Sequence, residues 1–240
     1  MLMVAVWSGV ATGRLLPHCI YTGSPESSTH RWLVDMGVHI LQREPRSKEE
    51  WAPQMDLPQL GLPYEYIFYS DAAALFLRRV NLIDFGDPLP DCLGMVPEND
   101  QDERVFDAGV MLVRLPCLMD SHTSFLSFVT RTRNPRGAFS DFYGQLITKM
   151  PSKWNTAPHH DWSRNVAVAH FSGPQPRHFD EFTLSGVCGE FGDLCERGLR
   201  NAAPAFLEAF RAVAGDVLAA AAGMVDPPWR RPEWSGGAGA

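Results

Sequence analysis

Apolar and polar positions follow two periods along this chain, and the changes of period mark its elements. From Leu2 to Thr12 the apolar residues crowd closely enough to predict a buried helix. "PHCIYTG" (17–23) predicts a short strand that ends in a glycine turn. "SPESSTHRWLVDMGV" then places Ser24 as a cap and Pro25 as the first helical residue. Trp32, Leu33 and Met36 follow at helical spacing, and Gly37 stands where that helix should stop. "VHILQRE" (38–44) is the next strand. Strand, helix and strand in that order predict a βαβ unit and a parallel sheet.

Beyond it, residues 43–63 are polar and rich in proline, which predicts a loop with one helical turn. "YEYIFYSD" (64–71) is the third strand, and "GMVPEND" (94–100) reads as a turn region. "RVFDAGVMLVRLP" (104–116) holds a continuous apolar run and predicts a buried strand. Phe125 and Phe128–Val129 place a helix over 121–130, and "NVAVAHFSG" (165–173) predicts another buried strand. Pro204 opens the last helix, whose apolar stripe is Phe206, Leu207, Phe210, Val213, Val217 and Leu218. The pattern is that of one α/β domain over 1–225, followed by a flexible tail over 226–240 rich in small residues.

Composition narrows the function classes. The chain has 240 residues, 45% of them hydrophobic, enough for a substantial core. Its net charge is −7 and it shows no basic stripe, which argues against a nucleic-acid partner. The five cysteines are odd in number, irregularly spaced and without a CxxC pair. That pattern indicates neither a disulfide framework nor a zinc ribbon, and it favours a reducing, cytoplasmic setting. No stretch is long and apolar enough to predict a transmembrane segment, and Leu2–Trp7 lacks the basic flank of a signal peptide. There is no P-loop, GxGxxG or GxSxG.

Candidate chemistry sits where strands end. In open α/β sheets, ligands bind beyond the carboxyl ends of strands. Asp71 ends one predicted strand and His170 another. If the two strands are neighbours, a carboxylate and an imidazole can hold a divalent cation, Mn²⁺ more readily than Mg²⁺. The alternative is that Asp71 is a turn residue and His170 a satisfied core histidine. In extended chain, residues i and i+2 share a face, so a second acid at 73 would aim at the same point as Asp71. Ala73 supplies none. "PHHDW" (158–162) raises a rival: His159, His160 and Asp161, joined by His170 or His178, in a hydrolytic metal centre, though without HExxH spacing. Trp154–Asn155 offers a stacking face and an amide for a sugar, or simply packing; Arg78 and Arg79 read as a solvated or partner-facing pair.

Taken in order, four stretches resemble the glycogenin-like retaining glycosyltransferases, known as family eight. "IFYSDAAALFLRRVNLIDF" is similar to that family's strand with an Asp-Ala-Asp motif, and "FDAGVMLVRLP" to its Phe-Asn-Ser-Gly-Val-Met strand. "MPSKWNTAPHHDW" resembles its loop with Trp-Asn and a proline, and "VAVAHFSGPQPRHF" its His-Phe-x-Gly-Pro-Lys-Pro region. The resemblance implies a GT-A fold, a Rossmann-like mixed sheet flanked by helices. It implies a nucleotide-sugar donor, usually a UDP-sugar, with Mn²⁺, and hexosyl transfer with retention to a carbohydrate or a protein- or lipid-linked acceptor. By position it makes Asp71 and His170 metal ligands. It places Asp107, Ala108, Asn155, Gly173, Gln175 and Arg177 with Asp71 around the nucleotide-sugar. Asp141 falls on the reacting face of the sugar.

The departures are specific. Ala73 replaces the second motif Asp, Gln175 the phosphate-facing Lys, and Arg177 stands at the Trp position. In an extended segment 175 and 177 share a side, so Arg177 can stand in for the lost cation. Asp107 replaces Asn, Ala108 replaces Ser, and Phe142 stands where Gln would follow Asp141. The family also opens with a strand that this chain lacks, since it begins in the predicted helix after it. The leading expectation is a transferase with a weak or dispensable metal. Its alternatives are an impaired binding relative, a fragment, and the His/Asp hydrolase.

Overall fold

The computed structural model describes residues 1–44, 53–98, 104–132, 137–160 and 165–223. The predicted tail over 226–240, Asp161 of the histidine cluster and the end of "GMVPEND" lie outside the described residues. Two compact units emerge: one formed by Met1–Ile40, Ala72–Val80 and Thr156–Ala240, the other by Leu41–Asp71 and Asn81–Asn155.

The first unit begins with α1 (Leu2–Ala11), buried as its apolar crowding predicts. β1 (His18–Tyr21) pairs with β2 (His39–Gln42). Between them α2 (Ser28–Asp35) starts later than the proline suggested: Ser27 is the cap, its hydroxyl accepting from the His30 amide. Ser24 and Pro25 precede it in a turn, because a serine that can cap the helix directly satisfies an otherwise orphan N–H. Gly37 does end the helix, at φ +71°, with its N–H on the Val34 carbonyl and the next N–H on Leu33.

A second two-stranded sheet joins β4 (Ala74–Phe76) to β8 (Val168–His170), antiparallel, with Ala74 opposite His170. Around it pack α5 (Pro176–Ser185), α6 (Gly192–Arg200) and α7 (Ala203–Ala221). Phe171, Phe179, Phe206 and Leu75 are fully buried in this core. The α7 stripe is right except at its end, where Leu218 is 70% exposed.

The second unit is built on a four-stranded mixed sheet in the order β3 (Tyr66–Ser70), β6 (Phe106–Arg114), β5 (Leu93–Pro97) and β7 (Ile147–Lys149). β6 is antiparallel to both neighbours, and β5 is parallel to β7. α3 (Leu115–Thr132) follows β6 without a loop, and α4 (Ala138–Tyr143) packs Phe139 and Tyr143 against Phe125 of α3. The proline-rich loop carries a 3₁₀ helix at Pro53–Gln59.

The "GMVP" segment is a buried strand rather than a turn. Gly94 is there for close packing: a Cβ on it would lie 2.9 Å from Met150 Sδ and 3.0 Å from Pro90 Cγ. The cysteine reading is also corrected. Cys92 pairs with Cys117 and Cys188 with Cys195, leaving buried Cys19 free. Folding brings the Cα atoms of residues 92 and 117 to 5.3 Å, which no sequence spacing discloses. No helix among the described residues is long and apolar enough to cross a membrane.

Candidate functional site

β3 is extended through Ser70, so Tyr69 and Asp71 project to one side. The Tyr69 hydroxyl donates to Asp71 Oδ1 at 2.7 Å, and it lies 3.3 Å from Gln54 Oε1 on the 3₁₀ helix. Burial around that hydroxyl, the charge of Asp71 and the hydrogen bond to it raise the Tyr69 pKa well above the ordinary phenol range. The hydroxyl therefore remains a donor, and the half-buried carboxylate is held in place.

The backbone ties Asp71 to β6. Its N–H donates to the Gly109 carbonyl at 2.7 Å. Here β6 bulges: Met95 pairs with Met111 and Val96 with Asp107, so residues 108–110 lie between successive partners. Asp107 Oδ1 accepts from the Gly109 N–H at 2.8 Å and stabilises this kink from within. Ala108 lies in the kinked stretch. One residue earlier, the Phe106 N–H donates to Ser140 Oγ at 2.9 Å, which fixes α4 on the strand. Asp141, the next residue, is exposed. Backbone N–H groups thus tie Asp71 to Gly109, Gly109 to the Asp107 carboxylate, and Phe106 to Ser140, the neighbour of Asp141.

Aromatic residues nearby have packing roles. Phe142 stacks among Phe125, Phe128 and Tyr143, with ring centroids 4.8–5.5 Å away. Trp154 is buried, 4.4 Å from the Phe85 ring, and its faces serve packing. Asn155 beside it is 5% exposed.

In the other unit, His170 is buried at the end of β8, with its N–H on the Thr156 carbonyl. Gly173 follows at φ +89°, a conformation that a side chain would strain. Gln175 caps α5: its N–H donates to His178 Nδ1 and its amide Nε2 to the Phe171 carbonyl. Because Pro176 is the first helical residue, Arg177 sits in the first turn of α5, exposed to solvent. The extended geometry expected for residues 175–177 is thereby overturned, since proline at N1 favours a helix start.

The forward half of the i, i+2 argument fails as well. Ala72 and Ala73 form a turn, and Ala73 packs against the apolar cluster that holds Phe171 and Leu75. Among the described residues no group of three or more His, Cys, Asp or Glu is gathered as a metal site. Ala73 thus offers no second carboxylate beside Asp71, and the two-carboxylate set of the resemblance is not present. His159 has its pKa lowered to about 4, first by burial, then by His160 and Arg197. Asn201 Nδ2 donates to the His159 carbonyl, tying the loop to α6. Tyr69 was missed in the sequence, although strand alternation alone places it beside Asp71.

With this geometry in hand, the class follows: the fold is that of the GT-A glycosyltransferases, a mixed sheet flanked by helices. Among solved structures, the galactosyltransferase LgtC in complex with donor and acceptor sugar analogues matches with a TM-score of 0.57 at 16% identity, over 81% of this chain and 90% of that one. An active-site variant of LgtC matches with a TM-score of 0.58 at 18% identity, over 95% and 94%. Mouse xyloside xylosyltransferase 1, in its apo form, matches with a TM-score of 0.50 at 14% identity, over 72% and 92%. The likeness to glycosyltransferases read in the sequence is thus present in the fold. No protein-family model matches the chain, and no curated protein matches it in sequence.

Proposed function

We propose that this protein is a glycosyltransferase that moves a hexose from a nucleotide-sugar, a UDP-sugar, to an acceptor hydroxyl with retention of configuration. The observation that carries this reading is Asp71, held by Tyr69 at the end of β3 and bonded to the β6 bulge that contains Asp107. The GT-A fold supports the same class. Asp71 would contribute a carboxylate to Mn²⁺, which, when bound, would stabilise the charge on the leaving diphosphate. With Ala73 against the apolar cluster, that cation would lack a second carboxylate and would be weakly held.

Asp107, Ala108 and Asn155 would line the donor sugar. In transfer, the bond from the anomeric carbon to the diphosphate oxygen breaks. The acceptor oxygen bonds to the same face, and its proton goes to the departing phosphate oxygen. Asp141 would stabilise the positive charge that develops on the sugar. Asp71→Ala is expected to abolish sugar transfer, and Asp141→Asn to lower kcat by about 100-fold with little change in donor affinity. Unchanged turnover in both variants would reject the assignment.

A second reading is a relative that binds donor or acceptor without transfer. It is favoured by Gln175, whose amide is committed to the Phe171 carbonyl where a phosphate-facing Lys would stand. Binding of UDP together with no sugar transfer or donor hydrolysis would select it.

A further inference from the structure

We infer that the Cys188–Cys195 disulfide is a reversible redox switch that holds or frees the turn opening α5. The bond lies within the first unit, and its role is independent of the proposed sugar transfer. Its two ends differ. Cys195 is fully buried on α6, whereas Cys188 lies in a stretch with exposed residues on both sides, among them Val187 and Gly189. That stretch has little packing of its own. A Cβ at Gly186, Gly189 or Gly192 would meet nothing within 4 Å, and the first two hold φ at +70° and +53°. What holds it is the disulfide, together with Phe191 and Leu194 on its inner side. Those side chains in turn support the segment before α5. A Cβ on Gly173 would lie 3.6 Å from Leu194 Cδ1 and 3.9 Å from the Phe191 ring. The Phe191 ring is 5.2 Å from that of His178, whose Nδ1 accepts from the Gln175 N–H at 3.0 Å. The disulfide thus braces Phe191, Phe191 braces His178, and His178 caps the turn. Cys92–Cys117 is placed differently: it joins the start of β5 to the first turn of α3, so reaching it means opening regular structure. The sequence separation is 7 for the 188–195 bond and 25 for the other, so the former restricts the unfolded chain less and acts more on local order.

The chemistry is thiol–disulfide exchange with a dithiol donor. When the turn opens, a donor thiolate attacks Sγ of Cys188, the S–S bond breaks, and Cys195 leaves as a thiolate that takes up a proton. The second donor thiol then resolves the mixed disulfide and releases Cys188 as a thiol. The cystine gains two electrons, and the donor is oxidised to its own disulfide. The test uses the full chain with graded dithiothreitol, followed by alkylation with peptide mapping and by amide hydrogen exchange. Cys188 and Cys195 are expected to become alkylated before Cys92 and Cys117. The amides of Gly173, Gln175 and His178 should lose protection in that state, those of β8 should keep theirs, and oxidised glutathione should restore the original pattern. The Cys188→Ala/Cys195→Ala variant should show the open pattern with or without dithiothreitol. Absence of a 188–195 bond in the unreduced protein would overturn the inference, as would equal protection of the turn in both states. Loss of protection in β8 along with the turn would make the bond a plain structural staple and would also overturn it. So would a response of the turn to dithiothreitol in the double variant.

Discussion

At the scale of single residues, several positions where the chain departs from the family pattern have structural roles. Ala73 packs on the cluster of Phe171 and Leu75, so a carboxylate there would face apolar surface. Ala73→Asp is expected to cost about 1–3 kcal/mol in denaturant unfolding and to create no tight Mn²⁺ site. Micromolar Mn²⁺ binding by that variant would contradict this. His159 gives a pH signature. Its pKa is lowered from 6.5 to about 4, so between these values the unfolded chain binds the proton and the native one does not. Stability contributed by neutral His159 is complete above about 6.5 and is lost as pH falls toward 4. Unfolding midpoints across this range should fall with pH, and His159→Gln should flatten the slope. The residues legible in sequence were those whose chemistry is unusual where they sit, such as Asp71 at the end of an apolar strand. Tyr69 escaped because a tyrosine in a strand is ordinary, and only the structure shows its hydroxyl bonded to the acid two residues on.

At the scale of elements, periodicity located the long strands and helices, because burial on one face imposes it. It failed where tertiary contact sets the residue type. Gly94 looked like punctuation but lies inside a sheet against Met150 and Pro90. Pro25 looked like a helix start, but Ser27 caps the helix. Pro176 does start one, moving Arg177 from an extended segment into the first turn of α5. Gly198 is likewise set by a tertiary contact. On α6, its missing side chain admits Phe179 of α5, and a Cβ would lie 2.6 Å from Cε1 of that fully buried ring. Alanine gains about 1 kcal/mol in helix propensity, but overpacking costs about 1–3 kcal/mol. Gly198→Ala should therefore lower stability in chemical denaturation; a gain would show that Phe179 moves freely.

At the scale of the whole molecule, the fold is conserved in outline at 14–18% identity to structures of the same architecture. Core positions allow many apolar residues, whereas a donor site depends on a few polar groups, so a fold outlives its sequence more readily than a site does. In this chain Ala73 packs on the apolar cluster and Gln175 braces the loop before α5. The most direct test of donor binding is thermal unfolding with UDP, with and without Mn²⁺. A ligand at 100 times its dissociation constant adds about 2.7 kcal/mol, so binding is readily visible. A clear upward shift with UDP, increased only modestly by Mn²⁺, is the expected result. No shift at millimolar UDP with Mn²⁺ present would contradict the proposed function.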